Sequence, residues 1–240
     1  MNCERSESDS MPPAAGGQRS AARDFWDERY GSEGAIWGEG PSPSSDEAVV
    51  VFGADAVYSV LVPGCAYGRH CRALARAGFD VTGLDASEVA IGMAREAVER
   101  AKMPNVRFVL GQVSAMPFEN DSFDAIYERA LLHLLLASER EAAIAEYHRV
   151  LRPGGLLYLT DFSTDDAEYG QGTEVEPGTF DVGQDPVLQP RHRHFFTEND
   201  MRAQLRGFEI RDLRVVDEAE MHGEQEMHSH RFWRAIATKA

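Results

Sequence analysis

The stretch Val60-Leu61-Val62-Pro63-Gly64-Cys65-Ala66-Tyr67-Gly68-Arg69-His70 decides how the chain is read. Its apolar half ends in Pro63 and predicts a buried strand; Gly64, Ala66 and Gly68 supply a tight turn, and the amphipathic segment Arg69–Arg76 predicts a helix. Small residues let the backbone approach a ligand with no Cβ in the way, and the helix start adds unpaired N–H groups facing it. The next apolar run, residues 79–84, ends in Asp85, seventeen residues past Gly68. A carboxylate at the tip of a second strand is placed to accept both hydroxyls of a ribose. Turn and carboxylate together predict a nucleoside-containing cofactor; the alternative is a structural turn with an exposed Asp.

Downstream, Ser87 is a good N-cap for a helix over 88–102, in which Val89, Ile91, Met93 and Val98 mostly recur at helical spacing. Residues 105–110 form a third strand with the exit loop Gly111-Gln112-Val113-Ser114-Ala115-Met116-Pro117-Phe118, and 122–128 a fourth. A helix over 138–151 is stopped by Arg152-Pro153-Gly154-Gly155 and followed by a fifth strand over 155–162. Such alternation predicts a parallel sheet with helices on both faces. From Ser163 to Arg193 the chain is acidic, contains Gly and Pro and has no periodicity, so residues 163–196 are an insertion near the substrate pocket. Thr197, with Asp200 in the first turn, caps a helix to Arg206, and two alternating strands, 208–216 and 231–239, follow without a helix between them. They pair antiparallel and close the sheet edge. The expected fold is α/β, a doubly wound seven-stranded sheet with five parallel strands and an antiparallel closing pair.

With 240 residues and 43% apolar composition the chain can bury one sizeable core. A formal charge of −16 argues against partners with a nucleic-acid backbone or an anionic membrane surface, both of which call for basic patches. Partners are small, cationic or a second copy, and the oligomeric state stays open. Arg outnumbers Lys by 22 to 2, which suits either a GC-rich genome or, with the acid excess, a salty cytoplasm. Cys3, Cys65 and Cys71 are odd in number and lack CxxC spacing, as expected of reduced thiols in a cytosolic protein. No charged start leads into an apolar core, and the densest apolar stretch, 130–137, is too short for a bilayer, so a soluble cytoplasmic protein is expected. Residues 1–20 are too polar to bury anything and read as a disordered tail. Structure starts near Ala21 with Phe25-Trp26-Asp27-Glu28-Arg29-Tyr30 on a short helix, then Trp37-Gly38-Glu39-Gly40-Pro41-Ser42-Pro43, and a helix over 46–52 before the first strand. The aromatics of residues 21–43 either join the core or form a lid.

These features together resemble class I S-adenosylmethionine-dependent methyltransferases over residues 21–240. Within that class, Phe25 to Tyr30 with Trp37-Gly38, Val62-Pro63-Gly64-Cys65, Glu128-Arg129-Ala130-Leu131-Leu132-His133 and His228-Ser229-His230-Arg231-Phe232-Trp233 are similar to the thiopurine, thiol/halide and tellurite-resistance methyltransferases. The resemblance implies S-adenosyl-L-methionine as cofactor and a small-molecule methyl acceptor, possible acceptors being thiols, selenium or tellurium oxyanions and halides. It implies that Gly64, Cys65, Ala66 and Gly68 pass under the methionine and ribose portion, that Asp85 holds the ribose hydroxyls and Ala86 meets adenine. Gln112 and Val113 then contact the adenine edge, and the Glu128 carbonyl lies near the methionine amino group. The chain departs from the pattern at Val62-Pro63, where many relatives carry an acid, at Gln112, where Asp is usual, and at Ala66, which replaces the middle Gly. Gln112 keeps an amide oxygen that accepts from the adenine amino group.

Methyl transfer from a sulfonium is an in-line displacement with a good leaving group, so alignment and exclusion of water are the main demands. A soft nucleophile reacts as its anion, which a nearby cation favours. Arg129 and His133, at the exit of the fourth strand, are the catalytic candidates; Arg129 could equally be a structural ion-pairing residue and His133 a packed helix histidine. Tyr30, Trp37 and His70 are candidates for the substrate side or the lid. The pairs His192/His194 and His228/His230 have metal-compatible spacing but no third fixed ligand, and no metal is assigned. Three rivals stand beside the main reading. A small-molecule O- or N-methyltransferase of secondary metabolism shares all these features. A nicotinamide- or flavin-dependent oxidoreductase has a similar turn, yet its third small residue would fall where this chain has Arg69. A non-catalytic cofactor-binding protein is the third.

Overall fold

The computed structural model describes residues 21–183, 192–221 and 227–240. The expected tail, 1–20, and Cys3 with it lie outside them. Two helices, α1 (Ala21–Glu33) and α2 (Ser44–Ala54), lead into β1 (Ser59–Pro63), whose five residues are all buried. That explains its unbroken apolar sequence, because a central parallel strand is covered on both faces. Its side chains alternate: Val60 and Val62 join a core with Phe52, Leu74, Ile91 and Tyr158, while Leu61 joins Ile126, Tyr147, Leu157 and Phe196 on the other face.

After the turn come α3 (Arg69–Arg76), β2 (Asp80–Asp85), α4 (Glu88–Ala101) and β3 (Val106–Leu110). Then follow β4 (Phe123–Arg129), a 3-10 turn at Leu132–Leu134, α5 (Ala137–Val150) and β5 (Leu151–Phe162). Last in the main sheet are β9 (Phe208–Met221) and β10 (Met227–Lys239), preceded by α6 (Glu198–Gln204). The strand order is β3-β2-β1-β4-β5-β10-β9, with β10 antiparallel to both β5 and β9. The expected seven-stranded sheet with an antiparallel closing pair is therefore present. Chain direction through the sheet reverses between β1 and β4, and this switch point opens a crevice at the carboxyl ends of the strands.

The link from β3 to β4 is a loop, as expected, bent by a bridge between Gln112 and Ala115. Three expectations need correction. Strand β5 begins at Leu151 rather than at Gly155, since Leu151 already pairs with Phe123 and Pro153 sits beside a register shift. The supposedly irregular insertion folds as a second antiparallel sheet of β6 (Thr173–Glu176), β7 (Thr179–Asp181) and β8 (His192–His194). Its strands of three and four residues are too short to show a period in sequence. The closing hairpin is longer than expected, pairing out to Met221 and Met227, because charged residues from Asp217 onward hide the extension. Among the described residues no helix is long and apolar enough to cross a membrane.

Candidate active site

Gly64, Ala66 and Gly68 all adopt left-handed backbone, with φ of 61°, 49° and 78°. That curls the turn tightly at the mouth of the crevice, and the Cys65 amide ties it to the Leu84 carbonyl at 3.0 Å. A Cβ on Gly64 would fall 2.8 Å from Leu131 Cδ1, so only glycine lets the turn lie this close to the segment after β4. Asp85 faces the turn from the end of β2. Its Oδ2 accepts the Ala66 amide at 2.8 Å and its Oδ1 the Ser87 amide at 2.9 Å. Each oxygen keeps a further lone pair for a ligand. Burial pushes the Asp85 carboxyl up, against the pull of the Ser87, Ala66 and Ala86 amides. Ser87 caps α4 as expected, accepting the Ala90 amide at 3.0 Å while donating to Asp27 of α1 at 2.6 Å.

A cavity of about 220 Å³ runs from this turn across the carboxyl ends of β1 and β4. Of the residues expected at the cofactor, Gly64, Cys65, Ala66, Asp85, Ala86, Gln112 and Val113 line it. Tyr30, Trp37, His70, Arg129 and His133 line it too. Two expected residues do not. Gly68 turns inward, and a Cβ there would fall 2.7 Å from the Phe108 ring, so this glycine serves helix–sheet packing. The Glu128 side chain is fully buried, and its Oε1 accepts the Leu131 amide at 2.7 Å; the contact expected of this residue was through its backbone carbonyl. Burial and the nearby Asp161 push that carboxyl well up.

The aromatic N-terminal segment is docked over the turn. Trp26 stacks on Tyr30, Tyr30 meets Tyr67 edge-on, and the Tyr67 hydroxyl accepts the Trp37 amide at 2.9 Å. Arg69 donates to the Trp37 carbonyl at 3.0 Å and to the Gly40 carbonyl at 3.1 Å. The residue that breaks the dinucleotide pattern is thus the one that holds this segment in place.

At the far end of the cavity Arg129, His133, Arg193 and His230 each have a carboxylate beside them. Arg129 reaches Glu218 of β9 at 3.1 Å and lies over the Phe232 ring at 3.9 Å. His133 Nδ1 lies 2.9 Å from Asp161 Oδ1, and the His133 amide donates to Asp161 Oδ2 at 3.0 Å. Burial pushes the His133 imidazole down, with Asp161 pulling the other way. Arg193 of β8 contacts Glu168 and lies over the Phe162 ring at 5.2 Å. His230 of β10 sits 3.3 Å from Asp166. His70 receives Ser42, whose amide donates to its Nε2 at 3.2 Å; burial, with Arg69, Arg129 and Arg72 nearby, holds this ring well below the usual range and neutral.

Sequence reading missed Arg193, Asp161, Asp166 and Glu218, and had Trp26 only as one of the aromatics of residues 21–43. Asp161, a polar residue near the end of an apolar strand, is the one that left a signal. Asp166, Glu168 and His230 offer ligand atoms within 4.8 Å of one another. The Arg193 guanidinium sits on Glu168, however, and the Arg231 amide donates to Asp166 at 2.8 Å, so both carboxylates are already engaged. In the pair His192/His194, His194 Nδ1 is hydrogen-bonded to Thr179 at 2.8 Å. The side chain of His228 lies outside those described.

Residues 60–155 match a family described as a methyltransferase domain. Among curated proteins the chain is similar to an uncharacterized methyltransferase of Synechocystis, 34% identical over 40% of this chain and 43% of that one. It is also similar to a demethylmenaquinone methyltransferase of Renibacterium salmoninarum, 36% identical over 40% and 38% of the two chains. It thus spans less than half the length of these relatives. Among solved structures, a SAM-dependent methyltransferase of Methanosarcina mazei superposes with a TM-score of 0.65 at 26% identity, over 75% of this chain and 92% of that one. TehB of Haemophilus influenzae shares the fold, with a TM-score of 0.60 at 18% identity over 91% and 67% of the two chains. The matched segment and the sheet topology agree: residues 60–155 are similar to a methyltransferase domain, in a chain whose seven-stranded sheet has the Rossmann-like methyltransferase fold.

Proposed function

We propose that the protein is an S-adenosylmethionine-dependent methyltransferase acting on a small molecule that bears a soft nucleophile: a thiol, a selenium or tellurium oxyanion, or a halide. The observation that carries this reading is the single cavity joining the Asp85 and Ala66 turn to the basic end at Arg129 and His133. The turn fits the cofactor: its backbone presents no long side chain to the crevice, and the Asp85 oxygens are held in place for the ribose hydroxyls. Ala86, Gln112 and Val113 would hold the adenine. Bound there, the cofactor supplies an electrophilic methyl group on a sulfonium.

Arg129 and Arg193, each paired with a carboxylate, line the far end and bring guanidinium groups to a nucleophile bound there, which favours the ionised form of a weak acid. Trp26, Tyr30 and Trp37 wall the cavity and keep water from the reacting atoms. An O- or N-methyltransferase is the second reading, favoured by these aromatic walls, which suit an acceptor that carries a ring. The test is calorimetry with S-adenosylhomocysteine, followed by a screen of small thiols, selenite, tellurite, iodide and phenols for S-adenosylhomocysteine release. Binding with turnover of a thiol, selenium or tellurium species or iodide supports the first reading. Turnover of phenols alone supports the second, and absence of binding rejects both.

A further inference from the structure

We infer that His230, oriented by Asp166, takes the proton from the methyl acceptor, so that the acceptor is a protonated nucleophile such as a thiol rather than a halide. The inference rests on the proposed methyltransferase reading and narrows its substrate class. It stands on a juxtaposition invisible in sequence. Asp166 follows β5 and His230 lies on β10, 64 residues later, and the ring both faces the cavity and approaches Asp166 Oδ2 through Nδ1 at 3.3 Å.

The carboxylate is fixed rather than free to swing. Asp166 Oδ2 also accepts the Arg231 amide at 2.8 Å, Oδ1 accepts the Glu168 amide at 2.9 Å, and the residue is 5% exposed. An ionised carboxylate only accepts, so its neighbour Nδ1 must carry the ring proton, and Nε2 is then the basic nitrogen. The imidazole is itself held edge-on against Phe162, with ring centroids 5.1 Å apart. The charged groups about it come from several elements. Asp166 and Glu168 follow β5, Arg193 lies on β8, Glu218 pairs opposite His230 on β9, Arg129 ends β4, and His133 packs on the same Phe162 ring. Arg193 is engaged by Glu168 and Arg129 by Glu218, which leaves Asp166 turned to His230.

His133 has a carboxylate partner of its own. Burial, with Arg193 and Arg129 adding to it against the pull of Asp161, holds its imidazole below the ordinary value. In the step assigned to His230, the acceptor heteroatom gives its proton to Nε2 while its electron pair forms the new bond to the methyl carbon. The methyl–sulfur bond breaks with its pair going to sulfur, and the imidazolium later returns the proton to solvent.

Two measurements decide it. Long-range ¹⁵N NMR of the ligand-free protein should show His230 with the proton on Nδ1, the signal being assigned by its loss in His230→Asn, and Asp166→Asn should abolish that preference. In turnover with S-adenosylmethionine, His230→Asn, which keeps a donor toward Asp166, should lower kcat by ~100-fold for benzyl mercaptan, which is largely protonated at neutral pH. It should lower kcat far less for 4-nitrothiophenol, which is already ionised, and leave S-adenosylhomocysteine affinity unchanged. A proton on Nε2 in the wild-type protein, or equal effects on the two thiols, overturns the assignment. If S-adenosylhomocysteine does not bind the wild-type protein, the methyltransferase reading falls, while the tautomer still decides whether the pair exists.

Discussion

The Ala66 amide donates to Asp85 Oδ2 at 2.8 Å, joining the turn after β1 to the tip of the neighbouring strand across nineteen residues. One carboxylate therefore has two tasks, shaping the turn and presenting acceptors to the crevice. Replacing Asp85 by Ala removes both and leaves the Ala66 and Ser87 amides without their acceptor. Calorimetry should show S-adenosylhomocysteine affinity reduced by about 1.5–3 kcal/mol, in a protein that is itself less stable. Unchanged affinity in a folded variant would show that Asp85 does not hold the ribose.

Arg129 separates two roles that sequence left open. Its contact with Glu218, with both side chains buried, means that Arg129→Met strips a buried carboxylate of its guanidinium and should destabilise the fold by about 3–5 kcal/mol. Arg129→Met with Glu218→Gln should recover most of that loss in chemical denaturation. If turnover stays low in the recovered double variant, Arg129 acts on the acceptor. Turnover that returns together with stability makes it a structural residue.

What was legible was set by short-range patterning. Strand β1 is covered on both faces and reads as an apolar run, and Ser87 and Thr197 are local caps, so the sheet and the Asp85 turn could be placed from sequence. Ala66 and Gly68 mark the limit. Both sit in the same turn at positive φ, yet Ala66 faces the cavity and Gly68 faces Phe108 of β3, a distinction made by tertiary contact alone. The basic end was hidden for the same reason. Arg193 comes from a three-residue strand, and Glu218 and Asp166 find their partners across distant elements, leaving no periodic trace.

His194 gives a stability profile with a defined sign. Burial, with Arg140 nearby, holds its imidazole at about 4, below the ordinary 6.5, while the unfolded chain titrates normally. Between those values the unfolded state binds more protons, so this stabilisation is complete above pH 6.5 and is lost as the pH falls through 4. The full effect is up to about 3 kcal/mol. Burial lowers His70 and His133 in the same direction. Denaturation midpoints should therefore fall from neutral pH toward pH 4, and His194→Asn, which can keep a bond to Thr179, should flatten part of that slope. An identical slope in the variant would place the proton-linked loss elsewhere.

The segment 21–43 was expected either to move as a lid or to stay fixed on the core. It is docked at both ends. Asp27 of α1 accepts Ser87 Oγ at 2.6 Å and the Val89 amide at 3.1 Å at the start of α4, while Arg69 and Tyr67 hold the loop at Trp37. Few of these contacts are deep: Tyr30 is buried, but Trp26 and Trp37 are half-buried, and α1 is tied mainly to α4. A segment held by a handful of hydrogen bonds opens at lower free-energy cost than the sheet beneath it. Because Trp26, Tyr30 and Trp37 line the cavity, a bound cofactor adds contacts that only the docked form makes and shifts the population toward it. Amide exchange over residues 25–40 should slow when S-adenosylhomocysteine is added. Asp27→Ala should speed that exchange in the free protein and weaken cofactor binding, with β1 and β4 unaffected. Equal protection with and without ligand would make the segment a fixed part of the core.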